Sequence, residues 1–113
     1  MQQKCDLEIS PEAKAFIEEE LKKHAHPEDF SIVIADTHAI GSMYDIRVHP
    51  TKDIVDIGHY DLLFPAEYHN NGLAIYADRT LLWGNYLPEH MQLVVWTRTS
   101  GARQLDIKNA DFE

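Results

Sequence analysis

The chain has 113 residues, one cysteine and a formal charge of −9, from 19 acidic and 10 basic side chains. That length fits a single domain, residues 1–113, large enough to hold a core without staples. The basic residues are scattered, with Lys22-Lys23 as the one tight pair. Neither nucleic acid nor an anionic membrane is therefore an expected partner, since both need clustered Lys and Arg.

One cysteine closes no internal disulfide, which gives no reason to expect secretion. The polar start, Met1 to Asp6, leads into no apolar run of the kind a signal peptide carries. No stretch approaches the roughly 20 apolar residues of a membrane span. The cytosol is the expected compartment.

In chain order, the first strong element follows a short apolar stretch at Leu7 and Ile9. Ser10 can cap a helix, and Pro11 suits its first position because the missing N–H needs no partner there. Ala13, Phe16, Ile17 and Leu21 recur at helical spacing, and Glu18–Lys22 and Glu19–Lys23 are favourably ordered pairs. The pattern predicts an amphipathic helix near residues 11–25, with Pro27 beyond its end.

The period then changes to two. Phe30, Ile32 and Ile34 alternate with Ser31, Val33 and Ala35, and Tyr44, Ile46 and Val48 alternate with Met43, Asp45 and Arg47. These predict two strands joined by a connection at residues 37–42. Ile54, Val55 and Ile57 predict a short strand. Asn71-Gly72 suits a type I′ turn, joining a strand that ends near His69 to one at Leu73–Tyr76. Asp78 can cap a short helix through Leu81 and Leu82, stopped at Gly84. Leu93–Thr97 reads as a strand, Ser100-Gly101 as a turn, and Arg103–Lys108 as a strand with Leu105 and Ile107 on one side. The expected fold is mainly β with α+β character: a partly closed β-sandwich or pseudo-barrel of six or seven short strands, packed on one N-terminal helix. Phe16, Tyr44, Tyr76, Trp83 and Trp96 are expected in the core.

The motifs and their order resemble the HesB-like domain, the fold of A-type iron–sulfur carriers. The opening Leu7-Glu8-Ile9-Ser10-Pro11-Glu12-Ala13 is similar to that family's strand, cap and helix. The stretch from Thr37 to Ile46 is similar to its Gly-Cys-Ser-Gly-x-x-Tyr segment, with Gly41 and Tyr44 at the second glycine and the tyrosine. The run from Asn71 to Asp78, with Thr80-Leu81-Leu82 after it, resembles the family's Asn-Gly run into Val-Asp and Ser-Leu. Leu105-Asp106-Ile107-Lys108-Asn109 resembles its Phe-x-Phe-x-Asn ending.

The resemblance implies a fold but not the family's chemistry. Its members hold iron or a cluster with three cysteine thiolates, soft ligands that suit iron–sulfur chemistry. Ala39 stands where the first would fall, and the Cys-Gly-Cys tail that supplies the others does not follow the last strand before Glu113. The expectation is a degenerate member that has lost cluster ligation. It would act by binding a protein, in the setting of the iron–sulfur assembly machinery, with homodimerisation implied by the family's habit of self-association. No resident cofactor is expected.

Three other readings stay open. Cys5 is read as an inert thiol, with a ligand shared across a dimer or a reactive thiol as alternatives. Seven histidines are an excess for this length. Of these, His38 adjoins the family's first cysteine position, and with His59, His69 or Cys5 it is a candidate ligand for iron, zinc or a cluster. The third reading is acid–base chemistry, from His59 beside Asp53, Asp56 and Asp61. No motif supports it, so an enzyme is not expected.

Overall fold

A computed structural model describes residues 6–39, 42–65, 73–84, 87 and 89–109, with the backbone alone at 36–39 and 42–43. The chain is mainly β, and the described residues form a curled half-barrel of seven strands with a few helices. The strands are β1 (Asp6–Ile9), β2 (Phe30–Ala39), β3 (Ser42–Pro50), β4 (Tyr60–Phe64), β5 (Ile75–Asp78), β6 (His90–Thr97) and β7 (Arg103–Asn109). The helices are α1 (Pro11–Lys22), α2 (Thr51–Ile57) and α3 (Arg79–Trp83), with a 3-10 turn at Pro27–Asp29. The sheet order is β1-β6-β7-β3-β2-β5-β4. Pairs β1–β6 and β2–β5 are parallel, and the rest are antiparallel.

The start of α1 follows its sequence signals. The Ser10 hydroxyl accepts a hydrogen bond from the Ala13 N–H at 3.1 Å, and Pro11 opens the helix. Ser10 also donates its own N–H to the Leu93 carbonyl at 3.0 Å, which ties the helix start to β6. The helix ends at Lys22, three residues short of the expected 25. Lys23 is its C-cap and pairs with Glu20 at 3.1 Å rather than with Glu19.

Strict alternation sorts the sheet into two faces. Ile32 and Ile34 of β2, Ile46 of β3, Ile75 and Ala77 of β5, Met91 and Leu93 of β6 and Leu105 of β7 share one core with Ala13 and Ile17 of α1. Leu81 and Leu82 anchor α3 to the same core. The seven strands form two ladders, β1-β6-β7 and β3-β2-β5-β4. Among the described residues they meet at β3–β7 through one register pair, Ile46 with Leu105.

Several expectations are corrected. Residues 37–39 and 42 are not a free connection, because β2 and β3 continue through them to the pair Ala39 with Ser42, past a register shift after Asp36. The residues Ile54, Val55 and Ile57 are not a strand but lie on α2. Only Ile54 is buried there, at 1% exposure, while Val55 and Ile57 face solvent. This helix lies against β2, β3 and β4, on the face of β2 opposite the main core. Ser31 and Thr51 join their hydroxyls at 2.7 Å, and Ser31, Val33 and Ile54 are buried outside the main core cluster. A β-branched run reads as a strand by propensity, and this second patch of burial overrides it. Gly58 ends α2 in the left-handed region, with φ +78°. Trp83 and Trp96, expected in the core, are exposed at 69% and 52%. Phe16 and Tyr44 do pack on it, and Tyr76 is half-buried. Strand β4 ends at Phe64, and the strand end expected near His69 lies, with the Asn71-Gly72 turn, outside the described residues.

Two substitutions test these local accounts. Ser10→Ala removes the cap and is expected to cost about 1 kcal/mol in urea unfolding. Gly58→Ala meets no neighbouring atom, so its expected cost, about 1 kcal/mol, comes from backbone conformation alone. Gly58→Asn is expected to recover part of that loss, and equal stability of all three Gly58 forms would contradict the assignment.

Candidate functional site

The residues singled out in the sequence do not assemble into one described site. Cys5 and His69 lie outside the described residues. His38 and Ala39 sit near the end of β2 by backbone position only. His59 is exposed in the connection between α2 and β4, and its carbonyl accepts the Arg79 N–H at 2.9 Å. Asp61 does not face His59 as an acid–base partner but is engaged by an arginine.

That arginine organises an exposed aromatic platform. Asp78 caps α3 by accepting the Thr80 N–H at 3.0 Å and the Thr80 hydroxyl at 2.9 Å. The helix is one turn and a half, stopped at Gly84, whose N–H reaches the Thr80 carbonyl at 3.1 Å. Arg79, in its first turn, donates Nε to both oxygens of Asp61 at 3.2 Å and Nη2 to Oδ1 at 3.0 Å. This fork-on-carboxylate geometry fixes the guanidinium plane, and the Asp61 carboxylate raises the Arg79 pKa above its ordinary value. The guanidinium carbon lies 5.8 Å from the Trp83 ring centroid, one helical turn on. The indole is thus exposed yet held by a chain from β4 through α3. Ile57, half exposed, ends the neighbouring helix two residues before His59.

Sequence reasoning missed a second cluster. After α1, His24 stacks on Phe30 with ring centroids 4.1 Å apart, and the 3-10 turn bridges the two. This turn brings ligand atoms of His26, Glu28 and Asp29 within 4.8 Å of one another, all exposed. The His26 ring meets the Glu28 carboxylate at 3.3 Å. The Glu28 pKa is held below its ordinary value, first by a backbone hydrogen bond and then by His26. A depressed carboxylate contributes stability above its unfolded pKa, and that contribution is lost as pH falls through the folded value. The cluster borders an open groove of about 770 Å³ that Pro50, Thr51, Lys52 and Asp53 complete. The local run His26-Pro27-Glu28-Asp29 was the signal available in the sequence.

If Asp61 holds Arg79 and Arg79 holds the indole, Asp61→Asn should free the Trp83 ring. In a Trp96→Phe background, time-resolved fluorescence anisotropy is expected to gain a fast component. An unchanged decay would show that the ring is held by something else.

In comparisons with known proteins, the chain matches no family model, no curated protein and no solved structure.

Proposed function

We propose that this chain is a HesB-like domain that has lost cluster ligation and serves as a protein-binding module in the cytosol, beside the iron–sulfur assembly machinery. The observation that carries the binding role is Trp83, 69% exposed and braced by Arg79 and Asp61. Aromatic side chains dominate the energetics of protein interfaces. An indole already fixed before contact loses little further freedom on binding, so more of its burial is realised as affinity. The resemblance supports the setting, and Ala39, with no lone pair to donate, supports the loss of ligation.

A second reading, metal binding, is favoured by His26, Glu28 and Asp29, which offer one nitrogen and carboxylate oxygens at one turn. It does not draw on His38, His59, His69 or Cys5. Zinc titration of the chain and of His26→Ala separates the two readings.

The direct test is partner capture followed by a binding titration between the purified partner and the chain. Trp83→Ala is expected to weaken binding by about 30-fold, the loss typical of an interface hot spot. It should leave the melting temperature nearly unchanged, because the ring contributes little to the core. Trp96→Ala is the matched control. Equal affinity for the Trp83 variant and the parent would refute the platform. Iron retained after anaerobic reconstitution and desalting would refute the loss of ligation.

A further inference from the structure

The seam between β3 and β7 has a property that linear sequence hides. Continuing the antiparallel register from Ile46 with Leu105 would set Arg47 opposite Gln104 and Val48 opposite Arg103. Those pairs do not form. The strands part, and Asp45 to Val48 and Arg103 to Leu105 line a cleft of about 360 Å³ with Phe16, Glu20 and Arg98. This cleft gathers Arg47, Arg98 and Arg103, three of the four arginines in a chain whose net charge is −9.

The two carboxylates in the lining are already partnered. Asp45 accepts from Arg47 at 3.0 Å, and Glu20 accepts from Lys23 at 3.1 Å. Arg98 donates Nε to the neutral Gln104 side chain at 2.8 Å, which orients its guanidinium without neutralising it. Arg103 lies 5.8 Å from the centroid of the Phe16 ring. Among the described residues, neither Arg98 nor Arg103 forms an ion pair. Two guanidiniums without ion pairs, one oriented by Gln104 and one set beside an aromatic ring, offer a receptor for an oxyanion, because the fork of N–H donors matches carboxylate and phosphate oxygens. The volume suits a small molecule.

We propose that the β3–β7 cleft binds a small organic oxyanion, a phosphate or carboxylate compound, clamped by Arg98 and Arg103 with its apolar part against Phe16 and Val48. This site is independent of the Trp83 platform. Arg103 stands on the inner side of β7 with Leu105, and Arg98 opens the β6–β7 turn, where its N–H donates to the Ala102 carbonyl at 2.8 Å. Both arginines belong to the β6–β7 side of the seam, and Val48 of β3 faces them across the cleft.

The experiment uses the full ¹⁵N-labelled chain, titrated with inorganic phosphate and with succinate at constant ionic strength, reading the arginine Nε–H signals. Saturating shifts at Arg98 and Arg103, with Arg79 unmoved, are expected for at least one probe. The tighter probe identifies the head group. Arg98→Gln and Arg103→Gln should each weaken binding by about tenfold, the loss of one charge-assisted bidentate contact. Arg103→Lys should also weaken it, because the charge remains but the fork is lost. Lys52→Gln should bind like the parent. All four variants are at exposed positions, and their melting temperatures check that the fold is intact. Unsaturable shifts shared by all four arginines, or parental affinity in both glutamine variants, would overturn the proposal.

Discussion

The structure depends on α1 lying across a sheet whose backbone ladder is nearly interrupted. Among the described residues, one register pair between β3 and β7, Ile46 with Leu105, joins two multi-stranded ladders. With so short a backbone ladder at the seam, side-chain packing contributes to holding the two sheets together. Helix α1 contacts β6 on one side of the seam and β3 on the other. Its buried Ala13 and Ile17 belong to the same core cluster as Ile34, Ile46, Leu93 and Leu105. The Ser10 cap sets the position of that helix, because the residue that satisfies its first turn also bonds to Leu93 of β6.

This arrangement explains why functional features sit where they do. The core side of the sheet is filled by α1, while α2 seals part of the opposite side through Ser31, Thr51 and Ile54. Among the described residues, two places with ordered but exposed side chains stand out. One is the end formed by α3 and the connection before β4, where Arg79 is held by both the His59 carbonyl and Asp61. The other is the seam itself. Both owe their order to charge-assisted contacts at the surface rather than to the core. Substitution there is accordingly separable from folding.

Much of the fold was legible because local signals and tertiary packing agree. Ser10-Pro11, the period-two runs of β2, β3 and β7, and Asp78 with Gly84 around α3 each carry a physical reason that survives in the structure. The failures have reasons too. Ile54-Val55-Asp56-Ile57 has strand propensity, but its fate is set by a buried patch on β2 that cannot be seen locally. Trp83 and Trp96 were assigned inside by hydrophobicity, which does not distinguish a core ring from a presented one. Arg47 and Arg103 are distant in sequence and converge only because β7 inserts beside β3. Three of the ten basic residues scattered along the sequence therefore meet in space. The His26–Asp29 cluster was missed although its residues lie in one local run.

Native-state hydrogen exchange on the parent chain and on Ile17→Ala tests most directly whether α1 joins the two ladders. The substitution removes buried methyl groups and is expected to cost about 2–5 kcal/mol. If the helix is the shared support, protection should fall by the same amount at the slowest amides of β6–β7 and of β2–β3. A loss confined to β1, β6 and β7, with β2 and β3 keeping their parental protection, would contradict the account.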